Sequence, residues 1–204
     1  TDWFIQSSAR IKQGGEQLSQ PGIIPDRWFP AVVPSTILGT LVEDNVYEDV
    51  FFGQNLEKIK AEEFQVSWWY RTEFLVTPYP GKNIARLELD GVNYRANIWL
   101  NGQKVADATE IYGAFRRFDL NVTSLVKFGE KNVLAIEVIP PVPGEPSIGF
   151  VDWNPAPPDR NMGLWRPVRL KISGPVDIIN PFIQSRLDTD NFKEARLTIQ
   201  AQVR

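Results

Sequence analysis

The chain has 204 residues, 43% of them hydrophobic and 23% charged, which is long enough for one domain with a large core and part of a second. It contains no cysteine and no histidine, which excludes disulfides, thiolate nucleophiles, a Ser-His-Asp triad and His-ligated metal centres, and leaves chemistry to carboxylates, amines or tyrosines. A net charge of -3 argues against nucleic acid as a partner, and no apolar run approaches the length of a membrane span.

The N-terminal third is predicted to contain little regular structure beyond a short strand in TDWFIQSS. Ser35 and Thr36 are N-cap candidates for a short helix that ends near Glu43. A second short helix is predicted to start at Asn55, with Asn55 as its cap. The segment between the helices has two interpretations, a hydrophobic anchor under a loop, which we favour, or a contact with substrate or with another domain. Its residues are Tyr47, Asp49, Phe51, Phe52 and Asn55.

From Val66 the hydrophobic period changes to two, which indicates β-strands. In the first strand Trp68 is predicted to face the core and Trp69 the sheet surface, because adjacent residues point to opposite faces. The Asn101-Gly102 pair predicts a hairpin. The remaining strands are predicted near residues 84–89, 94–100, 103–106, 115–120, 133–139 and 164–172. The fold class is therefore all-β, a β-sandwich of the jelly-roll kind.

Gly174-Pro175 predicts a domain boundary, because a turn pair follows the last of these strands. Residues 1–174 would form the first domain, and residues 175–204 the start of a second. Ala195 to Arg204 alternates apolar and polar residues, but two or three strands cannot bury both faces. This remnant is therefore expected to be marginal unless it packs on something else.

The loop within Gly149 to Val168 has the composition of a binding surface. Three prolines, Pro155, Pro157 and Pro158, restrict its backbone, so it loses little further entropy when a ligand binds. The indole of Trp153 could cover the C–H face of a sugar while Asp152 and Asn154 hydrogen-bond its hydroxyls. The alternative is a stapled loop whose tryptophan covers the end of the sandwich. For Trp165 we favour core packing, and for Asp159 a local pair or cap.

Four stretches together resemble the N-terminal sugar-binding region of glycoside hydrolase family 2. They are WFPAVVPSTILGTLV, LELDGVNYRANIWLNGQKVAD, FDLNVTSLVKFGEKNVLAIEV and NMGLWRPVRL. The proline loop, VDWNPAPPDRNMGLWRPV, is most similar to the exo-β-glucosaminidase and endo-β-mannosidase branch. The resemblance implies a galactose-binding-domain-like jelly roll, then an immunoglobulin-like sandwich that begins near Val176 and is cut off, then a (β/α)8 barrel with two catalytic glutamates.

The resemblance places Asp152, Trp153 and, less directly, Asn154 in the subsite for the terminal sugar. No Asn-Glu pair occurs in the sequence, and a barrel needs about 250 residues, so the catalytic pair is expected outside this chain. Carbohydrate and the missing barrel are the expected partners, without cofactor or metal. We expect a periplasmic or secreted location, with no signal peptide in this chain. The alternative function is a free-standing carbohydrate-binding module or structural β-sandwich.

Overall fold

The computed structural model describes residues 2–22, 27–149 and 154–204. Within these ranges two short α-helices, α1 (Gly15–Leu18) and α2 (Ile37–Glu43), accompany the β-strands. The strands are β1 (Trp3–Ser7), β2 (Phe29–Ala31), β3 (Trp68–Leu75), β4 (Ile84–Leu89), β5 (Arg95–Leu100), β6 (Gln103–Ala106), β7 (Phe118–Asn121), β8 (Lys131–Ile139), β9 (Val168–Ser173), β10 (Ile178–Leu187) and β11 (Ala195–Val203). None of the helices in the described part of the chain has the length and apolar character that a membrane span requires.

Two antiparallel sheets form a sandwich. One has six strands in the order β2-β1-β3-β8-β5-β6, and the other has three in the order β7-β4-β9. The strand pairs within both sheets are antiparallel. This architecture confirms the predicted all-β sandwich.

The main core lies between the two sheets and is built from alternate residues of each strand. The buried positions agree with the predicted inward faces and are Ala85, Leu87 and Leu89 in β4, Ala96, Ile98 and Leu100 in β5, and Leu134, Ile136 and Val138 in β8. Asn101 and Gly102 have φ values of 53° and 85° and join β5 to β6, so the predicted hairpin is confirmed. Both residues occupy the left-handed region that such two-residue turns require.

A second, smaller core covers the outer face of the six-stranded sheet, and it corrects the prediction for Trp69. Trp69 is only 5% exposed, because Leu18 of α1 and the indole of Trp99 pack against it. The helix approaches so closely that a Cβ on Gly15 would lie 2.1 Å from the Trp99 ring. The alternation in β3 correctly places Trp68 and Trp69 on opposite faces of the sheet, but other residues pack against both faces.

The N-terminal third is more regular than predicted in one place and less regular in another. Both α1 and β2 lie in the stretch predicted to be irregular. Helix α2 is confirmed, and the Thr36 hydroxyl accepts a hydrogen bond from Gly39 N (3.0 Å) as an N-cap. The second predicted helix is wrong, because only 3-10 turns form at Leu56–Lys58 and Ala61–Phe64.

Strand β7 begins at Phe118, three residues later than predicted. Phe115 lies before it in a turn and is exposed. The predicted helical turn after β7 is limited to hydrogen bonds from Leu125 N and Val126 N to Val122 O, of 2.9 and 3.0 Å.

Strands β10 and β11 form a separate two-stranded hairpin. Every residue of β11 is exposed, which agrees with the expectation that so few strands cannot bury both faces. Arg204 joins this hairpin to the first sandwich, because its guanidinium pairs with Asp177 (2.9 Å) and with Asp119 of β7. The domain boundary at residue 174 and the immunoglobulin-like nature of residues 175–204 stay predictions.

Candidate functional site

The loop that connects β8 to β9 lies at one end of the sandwich. The register of the sheets brings the start of β3 beside the end of β8, and the start of β9 beside the end of β4. The start of β5 also pairs with the end of β8, at Arg95 and Ile139. The loops that leave these strand ends therefore lie at the same end of the sandwich as the proline loop.

Of the three predicted sugar-binding residues, only Asn154 lies within the described residues. It is exposed, as are Pro155 and Ala156 after it. Asp152 and Trp153 lie outside the described residues, so their role as sugar contacts stays a prediction. The described residues of the loop show how its two sides are attached to the sandwich.

Asp159 fixes the C-terminal side of the loop. Its carboxylate accepts hydrogen bonds from Asn161 N and from Leu38 N in the first turn of α2, each at 2.9 Å. The side chain is 1% exposed, and burial raises the pKa of this carboxyl above its ordinary range, against the effect of these hydrogen bonds. The bond to Asn161 N agrees with the predicted local cap. The bond to Leu38 N links the loop to a helix 121 residues away, which the sequence pattern did not indicate.

Backbone hydrogen bonds also attach the C-terminal side of the loop to the start of α2 and to Asn93. Ile37 N donates to Met162 O (2.8 Å), and Ser35 N donates to Leu164 O (3.0 Å). Asn93 and Gly163 exchange two backbone hydrogen bonds of 2.9 Å each. The loop therefore returns to the sandwich between α2 and the start of β5.

The Asn93 side chain adds a clamp beneath the loop. It is fully buried, and its Nδ2 donates to Arg160 O (3.0 Å) and Asn161 O (2.8 Å). Arg160 and Asn161 both have positive φ, of 50° and 56°, a conformation that needs support from surrounding structure. The clamp supplies that support.

Gly163 allows the close approach of the loop to α2. A Cβ at this position would lie 2.7 Å from Ser35 O and 2.8 Å from the Tyr70 hydroxyl oxygen, and its φ of 148° also disfavours other residues. Tyr70 is fully buried below it, and burial raises the pKa of its hydroxyl. A side chain at Gly163 would displace the end of the loop.

The N-terminal side of the loop is attached through Glu145. This carboxylate forms an ion pair with Arg95 of β5 and accepts a hydrogen bond from Val142 N (2.8 Å). Burial opposes ionisation of Glu145, but the interactions with Arg95 and Val142 outweigh it and hold its pKa below the ordinary range. Arg160 also donates to Pro141 O (3.3 Å), which connects the two sides of the loop.

Trp165 is half-buried and takes a packing role, in line with the favoured interpretation. Its indole N–H donates to Ala114 O (2.9 Å), the Phe115 ring lies edge-on with centroids 5.6 Å apart, and the Arg166 guanidinium lies 4.6 Å from the ring centre. These contacts hold the indole against the sandwich.

The interpretation of the segment before Asn55 as a hydrophobic anchor is wrong for two of its residues. Phe51 is 97% exposed and Phe52 is 78% exposed, while Tyr47 packs against the core and donates to Glu63 Oε2 (2.9 Å). Asn55 makes no capping bond and instead donates to Asp49 O (3.0 Å). The phenylalanines point away from the core because Val50, directly before them, fills the buried position.

Arginines hold two carboxylates at this end of the sandwich in their ionised form. Glu145 is held in its ion pair, and Asp90 pairs with Arg117 (2.9 Å) and with Arg169. Burial opposes ionisation of Asp90, but the arginines hold its pKa below the ordinary range. Residues 2–22, 27–149 and 154–204 contain no group of three or more acidic residues placed to hold a metal ion.

Comparison with known proteins places this geometry in a family. Residues 3–147 match the family described as glycosyl hydrolase 2 galactose-binding domain-like. An exo-β-D-glucosaminidase of Streptomyces avermitilis is 36% identical over 205 residues, which cover 100% of this chain and 22% of that protein. A mannosylglycoprotein endo-β-mannosidase of Lilium longiflorum is 32% identical over 225 residues, which cover 96% of this chain and 23% of that protein.

Solved structures give the same result. An exo-chitosanase of Amycolatopsis orientalis matches with a TM-score of 0.91 and 35% identity over 100% of this chain and 23% of its own. The same figures hold for that enzyme in complex with PNP-β-D-glucosamine. The chain thus spans about a fifth to a quarter of the length of these relatives. It belongs to glycosyl hydrolase family 2, in the exo-β-glucosaminidase and endo-β-mannosidase branch, and carries the galactose-binding-like domain of that family.

Proposed function

We propose that this chain is the N-terminal, non-catalytic part of a longer retaining β-glycosidase, called the parent below. Its proline loop supplies one wall of the subsite for the terminal sugar, a β-linked glucosamine or mannose. Retaining hydrolysis needs two carboxyl groups about 5 Å apart, and in the parent both lie on a barrel outside these 204 residues. Trp153 stacks on the sugar face, Asp152 accepts hydrogen bonds from its hydroxyls, and Asn154 can accept or donate them.

The observation that supports this proposal best is the combination of exposure and anchorage in the loop. Asn154 is exposed, whereas Asp159, five residues later, is buried and bonded to the first turn of α2. Glu145 anchors the other side through Arg95. A polar side chain such as Asn154, close to an anchored position, loses little entropy when it binds a ligand.

The relatives support glucosamine over mannose. The exo-β-D-glucosaminidase is more similar to this chain than the endo-β-mannosidase is, and the related exo-chitosanase has been solved with a β-D-glucosamine derivative. A glucosamine carries an amino group, and a carboxylate such as Asp152 would bind its ammonium form by a charge-assisted hydrogen bond.

Kinetics of the parent test the proposal. In the parent, Asp152→Asn is expected to lower kcat/KM for an aryl β-glucosaminide about ten- to a hundredfold, since a hydrogen bond to a charged group is worth about 1.5–3 kcal/mol. Trp153→Ala is expected to lower kcat/KM as well, because it removes the surface on which the sugar stacks. Each substitution should leave the melting temperature of the 204-residue chain nearly unchanged, because neither side chain would fill the core. Asp107→Asn is the matched control, because this carboxylate accepts a hydrogen bond from Thr109 N within its own turn. A large drop in melting temperature for Trp153→Ala with unchanged kinetics would contradict the assignment.

A further inference from the structure

Two adjacent phenylalanines, Phe51 and Phe52, form an exposed tip that the proposed sugar site does not use. Their exposed fractions of 97% and 78% are extreme for rings without any polar atom. Val50, directly before them, is buried in the main core. The tip therefore stands on an anchored base, and we call it the diphenylalanine tip.

Hydrogen bonds hold the tip in its outward position. Phe52 N donates to Asp49 O (2.9 Å), and Asn55 Nδ2 donates to the same carbonyl oxygen (3.0 Å). Lys58 in turn donates to Asn55 Oδ1 (2.9 Å). The first bond closes a turn through the tip, the second ties the Asn55 side chain to the backbone before the tip, and the third holds that side chain in place. The exposure of the rings is thus a property of a defined turn, and the turn presents them already in position for a partner.

The chain on both sides of the tip is connected to the end of the sandwich at which the proline loop lies. Tyr47 donates to Glu63, and Phe64 stacks on Trp68 at the start of β3 with ring centroids 6.1 Å apart. One groove is lined on one side by Phe64 and Gln65 and on the other by Pro141, Pro158 and Arg160. Residues that follow the tip in the chain and residues on both sides of the proline loop therefore line the same groove.

The surroundings of the tip are strongly acidic. Residues 43–63 contain seven acidic and two basic residues, a net charge of -5, whereas the whole chain has -3. Glu48 and Asp49 stand directly before Val50 and are exposed. Aromatic side chains surrounded by a charged or polar rim are the composition of binding hot spots in protein interfaces.

We infer that the diphenylalanine tip is a docking element that inserts into an apolar pocket with a basic rim, on the part of the parent outside these 204 residues. The inference rests on the proposed function, since the parent is part of it. Three observations favour this docking partner over a sugar or a second copy of the chain. The rings have no polar atom with which to orient a sugar, the acidic surroundings call for a basic partner surface, and about three quarters or more of the length of each relative lies outside the matched region. Docking at this point would fix the groove and the proline loop against the catalytic region.

Tryptophan fluorescence tests the docking directly. Phe51→Trp is introduced into the parent and, as the matched control, into the 204-residue chain, and acrylamide quenching is compared with the same proteins without the substitution. We expect the added tryptophan to be quenched freely in the 204-residue chain and several-fold less in the parent, with its emission shifted to shorter wavelength. Adding Glu48→Lys to the parent should restore part of the quenching, because it reverses a charge facing the basic rim.

Each alternative occupant gives a different result. Protection of the added tryptophan in the parent only after addition of a β-linked glucosamine oligosaccharide would overturn the inference in favour of sugar binding. Protection that rises with concentration in the 204-residue chain would overturn it in favour of self-association. Equal quenching in chain and parent would exclude docking. None of these measurements uses turnover, so failure of the sugar-site proposal, read from the kinetics of Asp152 and Trp153 variants, is distinguishable from failure of docking.

Discussion

Replacement of Asp159 by alanine is expected to loosen the proline loop and to destabilise the chain. The substitution leaves Leu38 N buried without an acceptor, which costs about 1–3 kcal/mol, and removes the bond to Asn161 N, worth about 0.5–1.5 kcal/mol. Relief of the unfavourable burial of the charge offsets part of this loss. We therefore expect the free energy of unfolding to fall by about 2–3 kcal/mol, equivalent to roughly 4–12 °C in melting temperature for a chain of this size.

Urea unfolding of the 204-residue chain, followed by tryptophan fluorescence, measures this effect. The matched control is Asp107→Ala, because Asp107 makes the same kind of turn, with a 2.9 Å bond from Thr109 N, but its side chain is 40% exposed. Water can replace that bond, so the control should lose about 1 kcal/mol or less. Equal destabilisation by the two substitutions would refute the assignment of Asp159 as the anchor of the loop.

The pH dependence provides a second measurement on the same residue. Because burial raises the pKa of Asp159, the folded chain binds a proton more readily than the unfolded chain between the ordinary pKa of an aspartate and the raised value. Within that window the contribution of Asp159 to stability falls as the pH rises, and above the window it is constant. Asp159→Asn removes this titration, so the wild-type chain should gain stability relative to the variant on acidification through the window. A constant difference across the window would contradict the raised pKa.

Two further predictions concern backbone positions. Gly163→Ala should destabilise the 204-residue chain by at least about 3 kcal/mol in urea unfolding, because its Cβ would lie 2.7 Å from Ser35 O, whereas Gly144→Ala, with positive φ but open space around it, should cost about 1 kcal/mol. Similar losses for both would contradict the close approach of loop and helix. Amide hydrogen exchange should be faster in β11 than in β8, because among the described strands β11 pairs only with β10, and it is exposed throughout. Equal protection of the two strands in a monomeric sample would show that the hairpin is buried after all.

The sequence alone was sufficient to predict most of the strands and the family. Hydrophobic alternation correctly gave the inward faces of β4, β5 and β8, and the Asn101-Gly102 pair gave the hairpin between β5 and β6. These features depend on residues one to four positions apart, so their signal is local. The resemblance to glycoside hydrolase family 2 rested on four stretches of consecutive residues, so its signal is also local. The family match confirmed it.

Contacts between distant segments were decided only by the tertiary structure. Alternation placed Trp69 on the second face of β3, but only the packing of α1 determined that this face is covered. Asp159 caps a helix 121 residues away, which no local pattern specifies. The aromatic composition of the segment was compatible with either burial or exposure of Phe51 and Phe52. In the structure Val50 is buried, and the two phenylalanines are exposed to solvent. Periodicity determines which residues share a face, whereas the fold of the whole chain determines what lies against that face.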